Sequence, residues 1–575
     1  MNNLTIILQS SLLLFTSLIA GCSTVQGSNK EQDGDNYVSD VWVADNQDGT
    51  YTNPILFADY SDPDVVKDGE DFYMTASSFN ASPGLPVLHS KDLVNWDLVN
   101  HALPRLKPDE HFTEPRHEQG VWAPSIRKHD GMFYIFWGDP DFGIYMVKTE
   151  DPKGEWTEPH LIKGGEGLID PSPLWDDDGR AYVVYAYARS RSGINTILVV
   201  QEMKPDASEM IGDPVLVFDG HEDGHRVVEG PKFHKHEGEY YILAPAGGVT
   251  YGWQLALRSD DVFGPYEEKV VLHQGSTDIN GPHQGGLVNL ESGESWFIHF
   301  QDQYAYGRIV HLNPVNWEDG WPMMGEDKEG DGIGEPVRTH EKPNVQAENT
   351  PVVTPPESDE FDSKDLGLQW QWHGNPSPTW SYTTQDDYLR MYGTPLPENF
   401  TNFWDVPNLL LQKFPAPSFT ATTKFEFTPH MYGEKTGLIV MGRDYSYLSL
   451  TQTRDGLYVS QNTAIDADGG QPEEEIAGEL IDADAEEDEF WFRVEIEEVE
   501  GVGEDPLAHF SYSTDGENFD RVGEAFETRQ GGWIGAKVGL FGAQPFDYEQ
   551  NDFFEYDSRH LGFTDYQWFR VTPNE

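Results

Sequence analysis

The sequence predicts an all-β chain, a five-bladed β-propeller followed by a β-sandwich. Three observations carry this. First, a Gly opens an aromatic-rich strand five times: GEDFYMTASSF at Gly69, GMFYIFWG at Gly131, GRAYVVYAY at Gly179, GEYYILAP at Gly238 and GESWFIHFQD at Gly293. Second, the intervals are 62, 48, 59 and 55 residues, and a period of roughly 40 to 60 residues made of short strands marks propeller blades. Third, after a Pro-rich break, alternating runs resume as FTATTKFEF, TGLIVMGR, YSYLSLTQ, FWFRVEIEE and AKVGLFG. Short strands spaced by turns in this way predict a sandwich.

At the N-terminus, residues 4–20 are apolar with Ser and Thr mixed in, and they run into Leu18-Ile19-Ala20-Gly21-Cys22. An apolar segment ending in small residues reads as a secretory signal. Small residues before a Cys resemble a bacterial lipobox. That resemblance implies a lipoprotein signal peptide over 1–21, lipidation of Cys22, and a protein exported across the inner membrane and anchored by lipid, at the outer membrane. One departure is plain: no Lys or Arg precedes Lys30. Cys22 is the only cysteine, so no intrachain disulfide forms. The polar stretch 22–50 is expected to be a flexible tether.

The propeller is placed at 51–335. Upstream of each repeated Gly sits a polar motif at nearly one phase. SDPD puts Asp62 seven residues before Gly69; WAPS puts Trp122 nine before Gly131; IDPS puts Asp170 nine before Gly179; VEGP puts Glu229 nine before Gly238; GPHQGG puts His283 ten before Gly293. Equivalent positions of successive blades surround one axis, so Asp62, Asp170, Glu229 and His283 are expected to meet at one mouth of the channel. Three carboxylates in one pocket are costly to hold together, and such sites usually exist for chemistry. As plain turn residues, Asp-Pro and Gly-Pro also close loops, but a turn needs no shared phase of acids.

The motifs NPILFADYSDPDVV, SPGLPVLHSKDLVNWDLV, GVWAPSI, WGDPDFGIYM, IDPSPLWDDDG and VEGP, in this order, resemble glycoside hydrolase family 43 over about residues 50–345. The resemblance implies a five-bladed propeller that hydrolyses glycosides with inversion, mostly removing xylose or arabinose. It implies Asp62 as general base, Glu229 as general acid, and Asp170 as the carboxylate that orients the acid and raises its pKa. The family's usual base motif carries Ser where this chain has Asp64. Inverting hydrolysis needs acid and base on opposite faces of the sugar, about 6.5–9.5 Å apart, to admit a water, and a neighbouring anion keeps the acid protonated. Trp122 and Phe79 are candidates to flank the sugar, with blade core as the alternative. Arg308 is a candidate for a sugar hydroxyl, with a salt bridge as the alternative. His283 matches a family position where Ca²⁺ is often held through the His and waters, although Ca²⁺ prefers oxygen ligands. No cofactor is required; a structural Ca²⁺ is the one ion in prospect. No zinc signature, phosphate loop or nucleophile elbow occurs.

Residues 336–357, PVRTHEKPNVQAENTPVVTPPE, are Pro-rich and without period and are expected to be a linker. The sandwich follows over 358–575. Its opening, DEFD and WQWHGNP, looks like the accessory jelly-roll or concanavalin-like sandwich behind some family members. Trp370, Trp372 and Trp380 would bind polysaccharide if exposed; Trp at even spacing in a strand is more often core, which favours a sandwich that packs on the propeller and closes the pocket. The acidic run 471–489 is expected to be a solvated loop.

The chain carries 37 Lys and Arg against 100 Asp and Glu, a net charge of −63. That excludes a nucleic-acid partner, which needs basic patches, and it resists aggregation where salt screens repulsion. The expected partners are an oligosaccharide or polysaccharide substrate and a membrane reached through Cys22. The expected activity is exo-acting release of xylose from β-xylosides. The alternatives are α-L-arabinofuranosidase activity, since pocket shape decides between the pentoses, and a non-catalytic carbohydrate-binding lipoprotein, which would have lost a carboxylate.

Overall fold

A computed structural model describes residues 36–481, 489–499, 501, 503–546 and 561–574. The apolar leader and Cys22 lie outside the described residues. Five four-stranded antiparallel meanders follow one another, each with its strands in sequence order. Their first strands are Asp64–Asp68, Trp122–His129, Leu168–Trp175, Lys232–His236 and His283–Asn289. The first strand of blade 1 packs on those of blades 2 and 5, and that of blade 3 on those of blades 2 and 4, so these strands line the axis.

The repeated glycines sit in the hairpins between first and second strands. Their φ values are +62°, +79°, +84°, +92° and +90° for Gly69, Gly131, Gly179, Gly238 and Gly293. A Cβ at any of the five would meet nothing within 4 Å. Backbone conformation, not space, therefore selects Gly there. The second strands that follow bury Phe72, Phe133, Tyr182, Ile242 and Phe297 between neighbouring blades, which explains the aromatic bias of the repeat.

The ring closes between blades 5 and 1 through the stretch before Asp62. Ile55 N–H donates to Val310 O at 2.8 Å, Asn53 Nδ2 donates to Leu312 O at 2.8 Å, and Leu312 N–H donates to Asn53 Oδ1 at 2.9 Å. Strand Thr50–Thr52 pairs antiparallel with Thr339–Glu341. Two expectations are corrected here. The tether 22–50 is not flexible over its described part: Ser39, Ala44 and Asp45 are buried, and Lys342 Nζ lies 2.6 Å from Asp45 and 2.7 Å from Asp92. The linker 336–357 is not a free spacer either. Ser39 Oγ donates to the buried Glu357 at 2.8 Å, and Thr354 N–H donates to Tyr37 O at 2.9 Å. The two segments strap each other down, because each supplies the other's backbone and side-chain partners.

Among the described residues the C-terminal unit is a sandwich of two eight-stranded sheets. Trp370, Trp372 and Trp380 are 2%, 6% and 9% exposed within its core. They cannot stack on a sugar, so the polysaccharide-binding role offered for them is excluded. Strand Phe563–Thr572 returns to pair with Leu389–Tyr392 and Phe419–Thr428, and Phe569 bridges to Asp359 at the sandwich's opening. Part of the acidic run is not loop but an exposed edge strand, Glu474–Leu480. Its charges protect an open edge from pairing with another chain.

Candidate active site

Immediately before each first strand, or at its entry, one residue has positive φ: Asp62 at +53°, Ala123 at +35°, Asp170 at +57°, Gly230 at +57° and Gln284 at +53°. The first four precede Pro63, Pro124, Pro171 and Pro231. Asp62 and Asp170 thus hold equivalent places, while Trp122, Glu229 and His283 each stand one residue earlier. The single expected phase splits into two adjacent positions, and both turn toward one end of the axis.

Asp62 is buried and held by four contacts. Its Oδ2 accepts from Ser61 Oγ at 2.8 Å and from Ser77 Oγ at 2.6 Å. Arg308 Nη1 lies 3.0 Å from Oδ1 and 3.2 Å from Oδ2, and also donates to Ser61 Oγ at 2.8 Å. Ser77 Oγ in turn accepts from Ala123 N–H at 2.7 Å, tying Asp62 to blade 2. Arg308 is therefore buried against a carboxylate and not free for a sugar alone; its side chain also lies over the Phe300 ring at 4.9 Å. The neighbouring acid, Asp64, is spent elsewhere. It is fully buried, ion-paired to Arg127 at 2.5 Å, and accepts from Ile126 N–H at 2.9 Å. Arg127 continues to Ser172 Oγ at 3.1 Å, and Ser172 Oγ accepts from Phe233 N–H at 3.0 Å. This polar spine joins blades 1 to 4 beneath the mouth.

Asp170 is buried, and its Oδ2 accepts from Gly230 N–H at 2.7 Å. The bond fixes the backbone beside Glu229. Burial raises the Asp170 pKa first, and the charge of Asp62 adds to that. Glu229, partly buried, is raised first by burial and second by Asp170, with Arg308 opposing. Two close carboxylates that cannot both ionise freely keep a proton near neutral pH.

Phe79 is buried with φ +49° and bridges to Val121; its ring meets Trp122 edge-on at 6.4 Å. Trp122 remains partly exposed, its Nε1 donating to Glu118 O at 3.2 Å. His283 is buried, with Nδ1 2.7 Å from Gly281 O, and burial pushes its pKa down to about 3. Among the described residues no three His, Cys, Asp or Glu side chains converge as ligands. Beside His283 the contacts supply one protein oxygen, Gly281 O, so a Ca²⁺ there would take its remaining ligands from waters.

Several residues at this end were not singled out from the sequence. Ser61 stands inside SDPD and Ser77 inside GEDFYMTASSF, but neither residue type marks a site by itself. Asp139, in WGDPDFG, is buried with its pKa pushed up to about 7 by desolvation, and its strand neighbour Gly138 abuts Ile169 and Asp170. Trp533 lies on the sandwich loop 531–535 and is 44% exposed. That loop is fixed at both ends against the propeller. A Cβ at Gly532 would lie 2.7 Å from Glu118 Oε1, and Gly535 N–H donates to Asp59 at 2.9 Å.

Carboxylates gathered at one end of the axis, one of them kept protonated, are what glycoside hydrolysis needs. Residues 51–322 match Glycosyl hydrolases family 43, and residues 358–559 match the Beta xylosidase C-terminal Concanavalin A-like domain. The chain is 37% identical to a putative beta-xylosidase of Xylanibacter ruminicola over 496 residues, 86% of each protein. It is 32% identical to a non-reducing end alpha-L-arabinofuranosidase of Bacteroides ovatus over 432 residues, 72% of this chain and 77% of that one. It superposes on the crystal structure of a family-43 protein from Bacillus licheniformis with a TM-score of 0.75 at 25% identity, covering 91% of this chain and all of the other. The chain belongs to glycosyl hydrolase family 43 and is a glycosidase.

Proposed function

We propose that the protein is an exo-acting β-xylosidase that inverts the anomeric centre. The observation that carries this is the contrast between two acids at one mouth: Asp62 accepts hydrogen bonds from Ser61, Ser77 and Arg308, while burial and Asp170 hold Glu229 protonated. In the reaction, Asp62 takes a proton from a water as the water's oxygen bonds to the anomeric carbon. Glu229 gives its proton to the glycosidic oxygen as that bond breaks. Asp170 keeps the acid charged with a proton and fixes its backbone through Gly230. The partly exposed Trp122 offers an aromatic face to the sugar with the buried Phe79 packed behind it, and the exposed Trp533, on the loop held at Glu118 and Asp59, is proposed to narrow the rim from the sandwich side, which suits release of single terminal residues. Relatives named for β-xylosidase activity support the pentose, and the arabinofuranosidase relative supports the second reading, release of α-L-arabinofuranose. Nitrophenyl β-xyloside and α-L-arabinofuranoside decide between them by kcat/KM; cleavage of neither removes both.

The leader fits a lipoprotein, anchored through Cys22 at the outer membrane. Cys22→Ser is expected to shift the protein from membrane to soluble fractions or to block processing. A variant that stays in the membrane fraction contradicts the anchor.

A further inference from the structure

Asp59 takes no step in the chemistry above, yet it is 5% exposed at the seam between the two domains. Its Oδ1 accepts from Arg308 N–H at 2.9 Å, and its Oδ2 accepts from Gly535 N–H of the sandwich at 2.9 Å. Arg308 is the residue whose guanidinium holds Asp62. One carboxylate therefore joins the backbone beside the active site to the loop that carries Trp533.

The seam leaves that carboxylate little freedom. A Cβ on Gly307, whose φ is +77°, would meet Asp59 Cγ at 2.5 Å and Gly535 N at 2.8 Å. One on Gly535 would meet Gly307 N at 2.7 Å. The next residue, Ala536, donates its N–H to Ala305 O at 2.6 Å. The two backbones approach as closely as glycine permits, with Asp59 wedged between them. Asp59 also offsets buried positive charge. Lys413 and Lys537 of the sandwich are directly opposed cross-strand partners, burial lowers the pKa of both, and both feel Asp59.

We infer that Asp59 is a positioning residue: it locks the Arg308 peptide, and through it the Asp62 carboxylate, to sandwich loop 531–535. The inference rests on Asp62 as the base. It makes docking of the sandwich a condition for a well-placed base, a role separate from closing the pocket.

Asp59→Asn keeps the size but turns one acceptor into a donor, so either Arg308 N–H or Gly535 N–H loses its partner. On a nitrophenyl pentoside the expected result is a fall in kcat of roughly 10–100-fold with KM within about threefold, since small misplacements of reacting groups have such effects. The loss should be equal on a disaccharide with a poor leaving group, because the base is disturbed and proton donation is not. If Asp59 only glues the domains, Asp59→Asn lowers the melting temperature and leaves kcat below the transition unchanged, and the inference falls. Should Asp59→Asn fail to fold, Gly307→Ala, whose Cβ pushes on Asp59 from the other side, must show the same kcat loss; an unchanged kcat there also overturns it. Failure of the base assignment itself would show separately, as an Asp62→Ala enzyme that keeps its activity.

Discussion

The two ends of the propeller's first strands make an instructive pair. At one end, five hairpins carry Gly at positive φ, open to solvent, with no side chain to place. At the other, the positive-φ positions carry Asp62, Ala123, Asp170, Gly230 and Gln284, so four of the five are not Gly. A non-Gly residue in this region costs roughly 1–2 kcal/mol. The chain accepts that cost in the five hairpins at Asp130 and Glu237, each beside its repeated Gly, and at four of the five positions here. Asp62 and Asp170 are held there by specific bonds, whereas the hairpin end is selected by backbone conformation alone. Side chains tied by named bonds mark the active end, and repetition marks the structural end.

The largest effect that tests this contrast comes from removing the proposed acid or base. Glu229→Ala is expected to lose about 10²–10⁴-fold in kcat/KM on xylosides with poor leaving groups, and much less on nitrophenyl xyloside, which needs little protonation. Asp62→Ala should lose a similar factor on both kinds of substrate. Kinetics on the two substrates check this, and equal losses for Glu229→Ala on both would reverse the assignment.

Next in size is a shift of pH profile. Asp170→Asn keeps the acceptor for Gly230 N–H if the amide oxygen faces it, and removes the charge. The alkaline limb of kcat/KM reports ionisation of the acid, and a raised pKa keeps the enzyme active up to that limb. Losing Asp170 lowers the Glu229 pKa, so the limb moves to lower pH. Burial is the larger cause of the upward shift and survives the substitution, so the limb should stop above the ordinary range of an exposed Glu. An unmoved limb with weaker binding would make Asp170 a substrate ligand instead of a tuner.

Much of this architecture was legible in the sequence. The Gly–aromatic repeat shows blade number because both halves of it answer to local physics: φ at the hairpin, burial in the second strand. The motif residues were legible as a group, but their phase was not. Counting back from the hairpin Gly mixes first strands of five, seven and eight residues, and only the backbone shows that Glu229 stands one residue before the place held by Asp62 and Asp170. The long-range pairings of Asp62 and Asp59 were out of reach for a different reason. Arg308 lies 246 residues away in the chain, and Gly535 lies 476 from Asp59; no local pattern announces such contacts. The spacing of Trp370 and Trp372 places them on one face of a strand, yet it does not say whether that face is inside. In the structure it is.

The smallest effect probes the quiet end of the comparison. Gly179 has φ +84°, and a Cβ there would touch nothing within 4 Å. Gly179→Ala thus isolates the conformational term from any clash. It should destabilise the protein by about 1 kcal/mol, seen as a modest drop in the denaturation midpoint, with kcat and KM on nitrophenyl xyloside unchanged. Gly285→Ala is the contrasting case: its Cβ would fall 1.6 Å from Ile298 O beside His283, so there the backbone must move and the loss of stability should be several times larger. If Gly179→Ala instead lowers kcat, the hairpin end is coupled to the mouth along the first strand of blade 3. The separation between a structural end and a chemical end would then fail for the blade that carries Asp170.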